Sequence, residues 1–130
     1  MKKNKSTPEF ATWESTLKCN MYCFHCGLRA GLFSHDNRDL RGPQLSTIEA
    51  LSMFEELSKI GIRRLIISGG EFTTRADWKY LLRHALKKFD NVRLISNGFK
   101  GRRLIKKLEV LPGCDRLVLS VSLDGIGYIH

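Results

Sequence analysis

The sequence predicts an α/β fold of alternating strand–helix units with parallel strands. Four apolar runs of strand length recur, at 12–17 (TWESTL), 64–68 (RLIIS), 92–96 (VRLIS) and 116–123 (RLVLSVSL). The last three are nearly continuous in Val, Ile and Leu, the pattern of strands covered on both faces. Segments of helical period separate the runs, and that alternation requires parallel strands with right-handed crossovers, in an open sheet or as part of a barrel.

Residues 1–11 read as a tail and 12–130 as one core domain, because 130 residues suffice for a single ordinary domain. The helix between the first two strands is the best marked. Ser46 is its N-cap and Glu49, three positions on, completes a capping box. Ile48, Leu51, Phe54 and Leu57 follow as a core-facing stripe, and Gly61 supplies the stop. A second helix is expected over 75–88, with Thr74 as N-cap, Asp77 near the positive end of the dipole, and Trp78, Leu81, Leu82 and Ala85 buried. The third, over 101–110, buries Leu104, Ile105 and Leu108 before Pro112 and Gly113 end it.

Composition excludes several classes. With 42% hydrophobic and 27% charged residues, the chain reads as globular rather than disordered or fibrous. No apolar run approaches a membrane span, and no apolar signal core follows the basic start MKKNK, so the expected location is the cytoplasm with no membrane partner. The net charge of +9 is spread through IRRL, RHALKKF and KGRRLIKKL, which places it on the solvated faces of helices. Basic and aromatic residues do not interleave, which argues against nucleic acid as partner. An acidic peptide fits the charge.

In parallel α/β folds, ligands gather at the carboxyl ends of the strands. Here each strand leads into something small or polar: KCNMYCFHC, SGGE, SNG and SLDG, in that order. Three of the four cysteines, Cys19, Cys23 and Cys26, fall within eight positions in the spacing Cys-x3-Cys-x2-Cys. A reducing cytosol favours metal ligands or catalytic groups over a Cys23–Cys26 disulfide. Three soft thiolates leave a position open on a [4Fe–4S] cluster, whereas zinc would need a fourth ligand from His25, His35 or Cys114. Cys114 sits at the amino end of the fourth strand, the wrong rim, and reads as a small apolar residue; His84 and His130 show no ligand spacing.

CNMYCFHC followed by SGGE, SNG and SLDG resembles the N-terminal part of a radical S-adenosylmethionine enzyme, and the resemblance runs from about Thr12 to Asp124. It implies the first half or more of a partial (β/α)6 TIM-like barrel. It also implies that Cys19, Cys23 and Cys26 ligate a [4Fe–4S] cluster, whose open iron takes the amino and carboxylate groups of S-adenosylmethionine. By the same resemblance, His25 lies near the adenine. Gly69, Gly70 and Glu71 receive the methionyl ammonium, Ser96 and Asn97 form the polar pair after the third strand, and Ser122 and Asp124 lie near the ribose and carboxylate. The implied activity is reductive cleavage to a 5′-deoxyadenosyl radical that abstracts hydrogen from a substrate, with an electron donor such as flavodoxin or ferredoxin. The stretches TWESTLKCNMYCFHCG and LSTIEAL to GIRRLIISGGE look most like the peptide-modifying branch, which carries further clusters C-terminally.

Two departures stand out. Phe72 replaces the proline common after GGE, and SLDGIGYIH ends just past the fourth strand where the family has six units. The expectation is a fragment, a truncated product, or a piece that pairs with another chain, with an apolar edge strand left exposed. The alternative function is a non-catalytic zinc- or cluster-binding structural module in a basic binding protein.

Overall fold

The computed structural model describes residues 8–30, 44–99 and 101–124. Among them, β1 (Phe10–Glu14), β2 (Arg64–Ser68), β3 (Asn91–Ser96) and β4 (Leu117–Val121) form a parallel sheet in the order β1-β2-β3-β4. Helices α1 (Thr47–Lys59), α2 (Trp78–Lys88) and α3 (Gly101–Glu109) alternate with the strands along the chain. The spatial order follows the chain order, as in a partial TIM-like barrel, and the sheet is not closed.

Register decides which face is buried. Ala11 and Trp13 stand beside Leu65 and Ile67, these beside Val92 and Leu94, and these beside Leu117 and Leu119. All eight belong to, or pack against, one core that also holds Phe54, Phe72, Leu81, Leu82, Leu86 and Phe89. Phe54 anchors it, edge-on to Trp13 at 5.5 Å and to Phe89 at 5.9 Å. Such aromatic pairs add about 0.5–1.5 kcal/mol beyond the area they bury.

The other face of the sheet departs from expectation. Ile66 and Ile95 are only half-buried, while Arg93 and Val118 are exposed. The strands are thus covered on one face among the described residues, and their apolar runs overstated the cover.

The capping box of α1 forms as expected, with Glu49 N–H donating to Ser46 Oγ and Ser46 N–H to the Glu49 carboxylate. Its stripe is rotated, however. Ala50 and Phe54 are buried, Leu51, Met53 and Leu57 are half-buried, and Ile48 points to solvent at 79% exposure. The core thus lies between the Ala50 and Phe54 rows, and a three-residue spacing alone drifts off that line.

Helix α2 begins at Trp78 rather than at Arg75, because Phe72–Thr74 form a separate 3-10 turn. Thr74 therefore does not cap it; its hydroxyl donates to the Glu71 carbonyl, and Asp77 is the N-cap residue. Trp78, Leu81, Leu82 and Ala85 are buried as expected, as is Leu86. In α3, Leu104 and Leu108 are buried but Ile105 is 45% exposed. Strand β1 starts at Phe10, two residues inside the segment read as tail, and ends at Glu14.

Candidate functional site

Beyond Glu14 the chain continues alongside the residues that follow β2. The Ser15 N–H and hydroxyl both donate to the Ser68 carbonyl, at 2.9 and 2.8 Å. Gly70 N–H donates to Thr16 O at 2.6 Å, and Glu71 N–H to Lys18 O at 2.8 Å. This track delivers Cys19 to the rim. It also explains both glycines. A Cβ on Gly69, whose φ is +125°, would meet Thr16 O at 2.6 Å, and one on Gly70 would meet Lys18 O at 2.2 Å.

Glu71 follows them and is 1% exposed. Its carboxylate accepts from the Thr73 hydroxyl at 2.7 Å, from Ser96 Oγ at 3.1 Å to each oxygen, and from the Asn97 N–H at 2.8 Å. These donors satisfy the buried carboxyl oxygens, which would otherwise be costly to remove from water. The acid thereby ties the end of β2 to the end of β3. Ser122 N–H donates to the Ser96 carbonyl at 2.9 Å, which carries the tie on to the end of β4.

The cysteine loop reaches across this rim. Asn97 Nδ2 donates to Asn20 Oδ1 at 2.9 Å and lies 3.8 Å from Cys19 Sγ. His25 Nε2 lies 3.1 Å from Asp124 Oδ1, which joins the loop after β1 to the segment after β4 although these strands are the two ends of the sheet order. Between loop and rim lies a cleft of about 260 Å³ lined by Met21, Tyr22, Cys23, Asn97, Ser122 and Asp124. The residues selected by sequence thus meet at one rim, except Cys26, whose N–H donates to the Cys23 carbonyl at 3.1 Å within the cysteine loop. Cys23, Asn97, Ser122 and Asp124 line the cleft, His25 and Cys19 are tied to two of these, and Gly69, Gly70, Glu71 and Ser96 form the support beneath.

The thiols suit a cationic centre. Burial pushes the Cys23 thiol up, and the nearby Cys19, Asp124 and Cys26 push it in the same direction. A positive metal group among these sulfurs relieves that repulsion. Among the described residues, no three His, Cys, Asp or Glu side chains converge on one point as the ligands of a single ion would. A cube-shaped cluster takes its thiolates at separate corners, so three soft donors on one short loop fit it. Of the zinc candidates, His25 is engaged with Asp124 and Cys114 is exposed, its Sγ on the Glu109 carbonyl at 3.4 Å; His35 lies outside the described residues.

Two features were not selected from sequence. Arg75 is 5% exposed and donates to both oxygens of Asp77 at 2.9 and 2.8 Å, to Ser15 O at 2.9 Å and to Leu45 O at 3.1 Å, with its guanidinium 5.6 Å from the Trp13 ring centre. It locks the start of α2 to the end of β1. The second is a neighbouring cleft of about 340 Å³, walled by Asn20, Thr73, Trp78, Phe99, Arg103 and Lys107 among others. Only a GRRLIKK helix placed beside Asn20 reveals it.

Comparison with known proteins identifies the family. The signature of the Radical SAM superfamily matches residues 13–126. Mycofactocin maturase MftC of Mycolicibacterium smegmatis is 33% identical over 119 residues, which are 91% of this chain and 28% of that protein. Fe-coproporphyrin III synthase of Methanosarcina barkeri is 31% identical over 124 residues, 95% of this chain and 29% of that protein. The antilisterial bacteriocin subtilosin biosynthesis protein AlbA of Bacillus subtilis is 26% identical, covering 92% and 25% respectively. The chain thus spans roughly a quarter to a third of these relatives. No helix among the described residues is long and apolar enough to cross a membrane. The chain belongs to the radical SAM superfamily, whose members are enzymes that bind a [4Fe–4S] cluster and S-adenosylmethionine.

Proposed function

We propose that residues 12–130 act as a radical SAM core domain in which Cys19, Cys23 and Cys26 hold the [4Fe–4S] cluster and the cleft beside Cys23 receives S-adenosylmethionine. The single observation that carries this reading is that Cys23, Asn97, Ser122 and Asp124, drawn from three separate loops, line one cleft. When bound, cluster and cofactor together supply a 5′-deoxyadenosyl radical that abstracts hydrogen from the substrate.

The protein's own share is binding, orientation and exclusion of water. Asp124 and Ser122 offer acceptors to the hydroxyls of a ribose. His25 presents a ring toward the adenine. Glu71, encircled by donors and deep in the rim, acts toward the methionyl ammonium as a rigidly held carboxyl group, with Gly69 and Gly70 letting the backbone come close.

A peptide is the substrate we favour. Support comes from the likeness of the cysteine stretch to the peptide-modifying branch and from similarity to a bacteriocin biosynthesis protein. Cysteines clustered at Cys19, Cys23 and Cys26 with metal-ligand spacing favour a reducing cytoplasm as the location. The electron donor, such as flavodoxin or ferredoxin, would find a complementary surface on α3. Arg102, Arg103, Lys106 and Lys107 are exposed there, and the second cleft brings Arg103 and Lys107 to Asn20, the neighbour of Cys19.

The test is anaerobic reconstitution with iron and sulfide, followed by electron paramagnetic resonance of the reduced protein with and without S-adenosylmethionine. A [4Fe–4S] signal that changes on adding the cofactor is expected. Uptake of zinc instead, or a cluster signal indifferent to the cofactor, would reject the reading.

A further inference from the structure

Asn97 is fixed at both ends. Its backbone N–H donates to Glu71 at 2.8 Å, its Oδ1 accepts from the Phe99 N–H at 2.9 Å, and its Nδ2 donates to Asn20 Oδ1 at 2.9 Å. The Phe99 contact settles the orientation of the amide. A backbone N–H is a donor only, so the atom facing it must be oxygen and the NH2 group must face Asn20 and Cys19. That NH2 group lies 3.8 Å from Cys19 Sγ.

An N–H directed at a thiolate ligand acts on the redox couple. Reduction adds one negative charge to an iron–sulfur cluster and its sulfurs, and a donor at sulfur stabilises the more negative state. We propose that Asn97 is a positioning residue that holds an N–H against Cys19 Sγ and thereby raises the reduction potential of the cluster bound there. The rim then couples two tasks. The Glu71 carboxylate buried beneath the cleft also fixes the backbone of the residue that tunes the cluster. Asn20 supplies the second acceptor that aims the amide. This inference rests on Cys19 being a cluster ligand.

The experiment is a redox titration of the reconstituted full chain, monitored by electron paramagnetic resonance, for wild type, Asn97→Ala and Asn97→Asp. The Ala variant removes the donor without adding charge, and its reduction equilibrium constant is expected to fall about tenfold, or about 59 mV for a one-electron couple, at unchanged iron content. The Asp variant keeps an acceptor for the Phe99 N–H and is expected to fall at least as far. A potential unmoved in the Ala variant overturns the proposal, as does a shift confined to the Asp variant, which charge alone explains. If the Ala variant loses its cluster, Asn20→Ala carries the test: loosening the aim of the amide should lower the potential, and an unchanged value overturns the proposal. A wild-type chain that assembles no [4Fe–4S] cluster overturns the cluster reading and this inference together, whereas a normal cluster with an indifferent Ala variant overturns this inference alone.

Discussion

Ser96 Oγ stands 3.1 Å from both carboxylate oxygens of Glu71, so the acid at the end of β2 is gripped by the last residue of β3. With the carboxylate 1% exposed, an amide in its place sets an NH2 group against a hydroxyl or N–H. Glu71→Gln is therefore expected to cost about 1–3 kcal/mol, read as a lowered urea midpoint. An unchanged midpoint would show that the network contributes nothing to folding. Stability must accordingly be measured beside cofactor binding for any Glu71 variant.

Asp124 separates the two effects more cleanly. Its side chain is 49% exposed and pairs with a His25 side chain that is itself 64% exposed, so little folding free energy rests on it. Asp124→Asn is expected to leave the urea midpoint within about 0.5 kcal/mol and to weaken S-adenosylmethionine binding roughly tenfold, about 1.4 kcal/mol. Equilibrium binding to the reconstituted chain measures this, and wild-type affinity in the variant would place the ribose elsewhere.

Much of this site was legible because its signals are local. The cysteine spacing, GGE, SNG and SLDG each follow a strand, and parallel strands bring such loops to one rim. The capping box was legible for the same reason, since Ser46 and Glu49 are three residues apart. Arg75 was not, because its partners Ser15 and Leu45 lie 60 and 30 residues away and only folding brings them together. The exposure of Ile48 and Ile105 escaped likewise, since a helical stripe fixes the apolar side only to within a row and packing against the sheet selects the row.

Gly70 is the tightest point of the track that delivers Cys19. A Cβ there would sit 2.2 Å from the Lys18 carbonyl oxygen, which is backbone and has no rotamer to yield. Gly70→Ala must push residues 16–18 away from the rim, breaking the Gly70-to-Thr16 and Glu71-to-Lys18 hydrogen bonds. The expected result is a lowered urea midpoint together with reduced iron uptake. Gly27, where an added Cβ meets nothing within 4 Å, is the control, and Gly27→Ala should retain its iron.

The proposed docking of an electron donor on the α3 face predicts a salt signature. Arg103→Glu and Lys107→Glu alter exposed cationic residues on the wall of the second cleft and leave the cysteine loop unchanged in sequence. With an acidic carrier protein, cluster reduction is expected to slow in both variants and to lose much of its dependence on ionic strength, because screening acts on charges that are no longer complementary. Reduction by dithionite, a small reagent that needs no docking surface, should be unchanged. Equal slowing with both reductants would point to damage at the cluster instead.

Acid sensitivity should trace to Asp77. Two charge-assisted hydrogen bonds from Arg75 hold its carboxyl below the usual carboxylate range, and the Thr47 hydroxyl adds a third donor at 2.6 Å. A folded-state pKa below the unfolded one means that the unfolded chain binds the proton more readily. The stabilisation is thus complete above the unfolded value, about 3.9 for Asp, and fades as pH falls through the lower folded value. Asp77→Asn is expected to lose about 1.5–3 kcal/mol at pH 7, since a guanidinium with a side chain only 2% exposed then lacks its counter-charge. The gap between wild type and variant should narrow as pH drops below about 4, because the unfolded wild-type chain then takes up a proton at Asp77 that the folded chain still excludes. Urea unfolding of both proteins at pH 7, 5 and 3 checks this, and a gap that stays constant with pH would mean that Asp77 contributes its shape to the start of α2 rather than its charge.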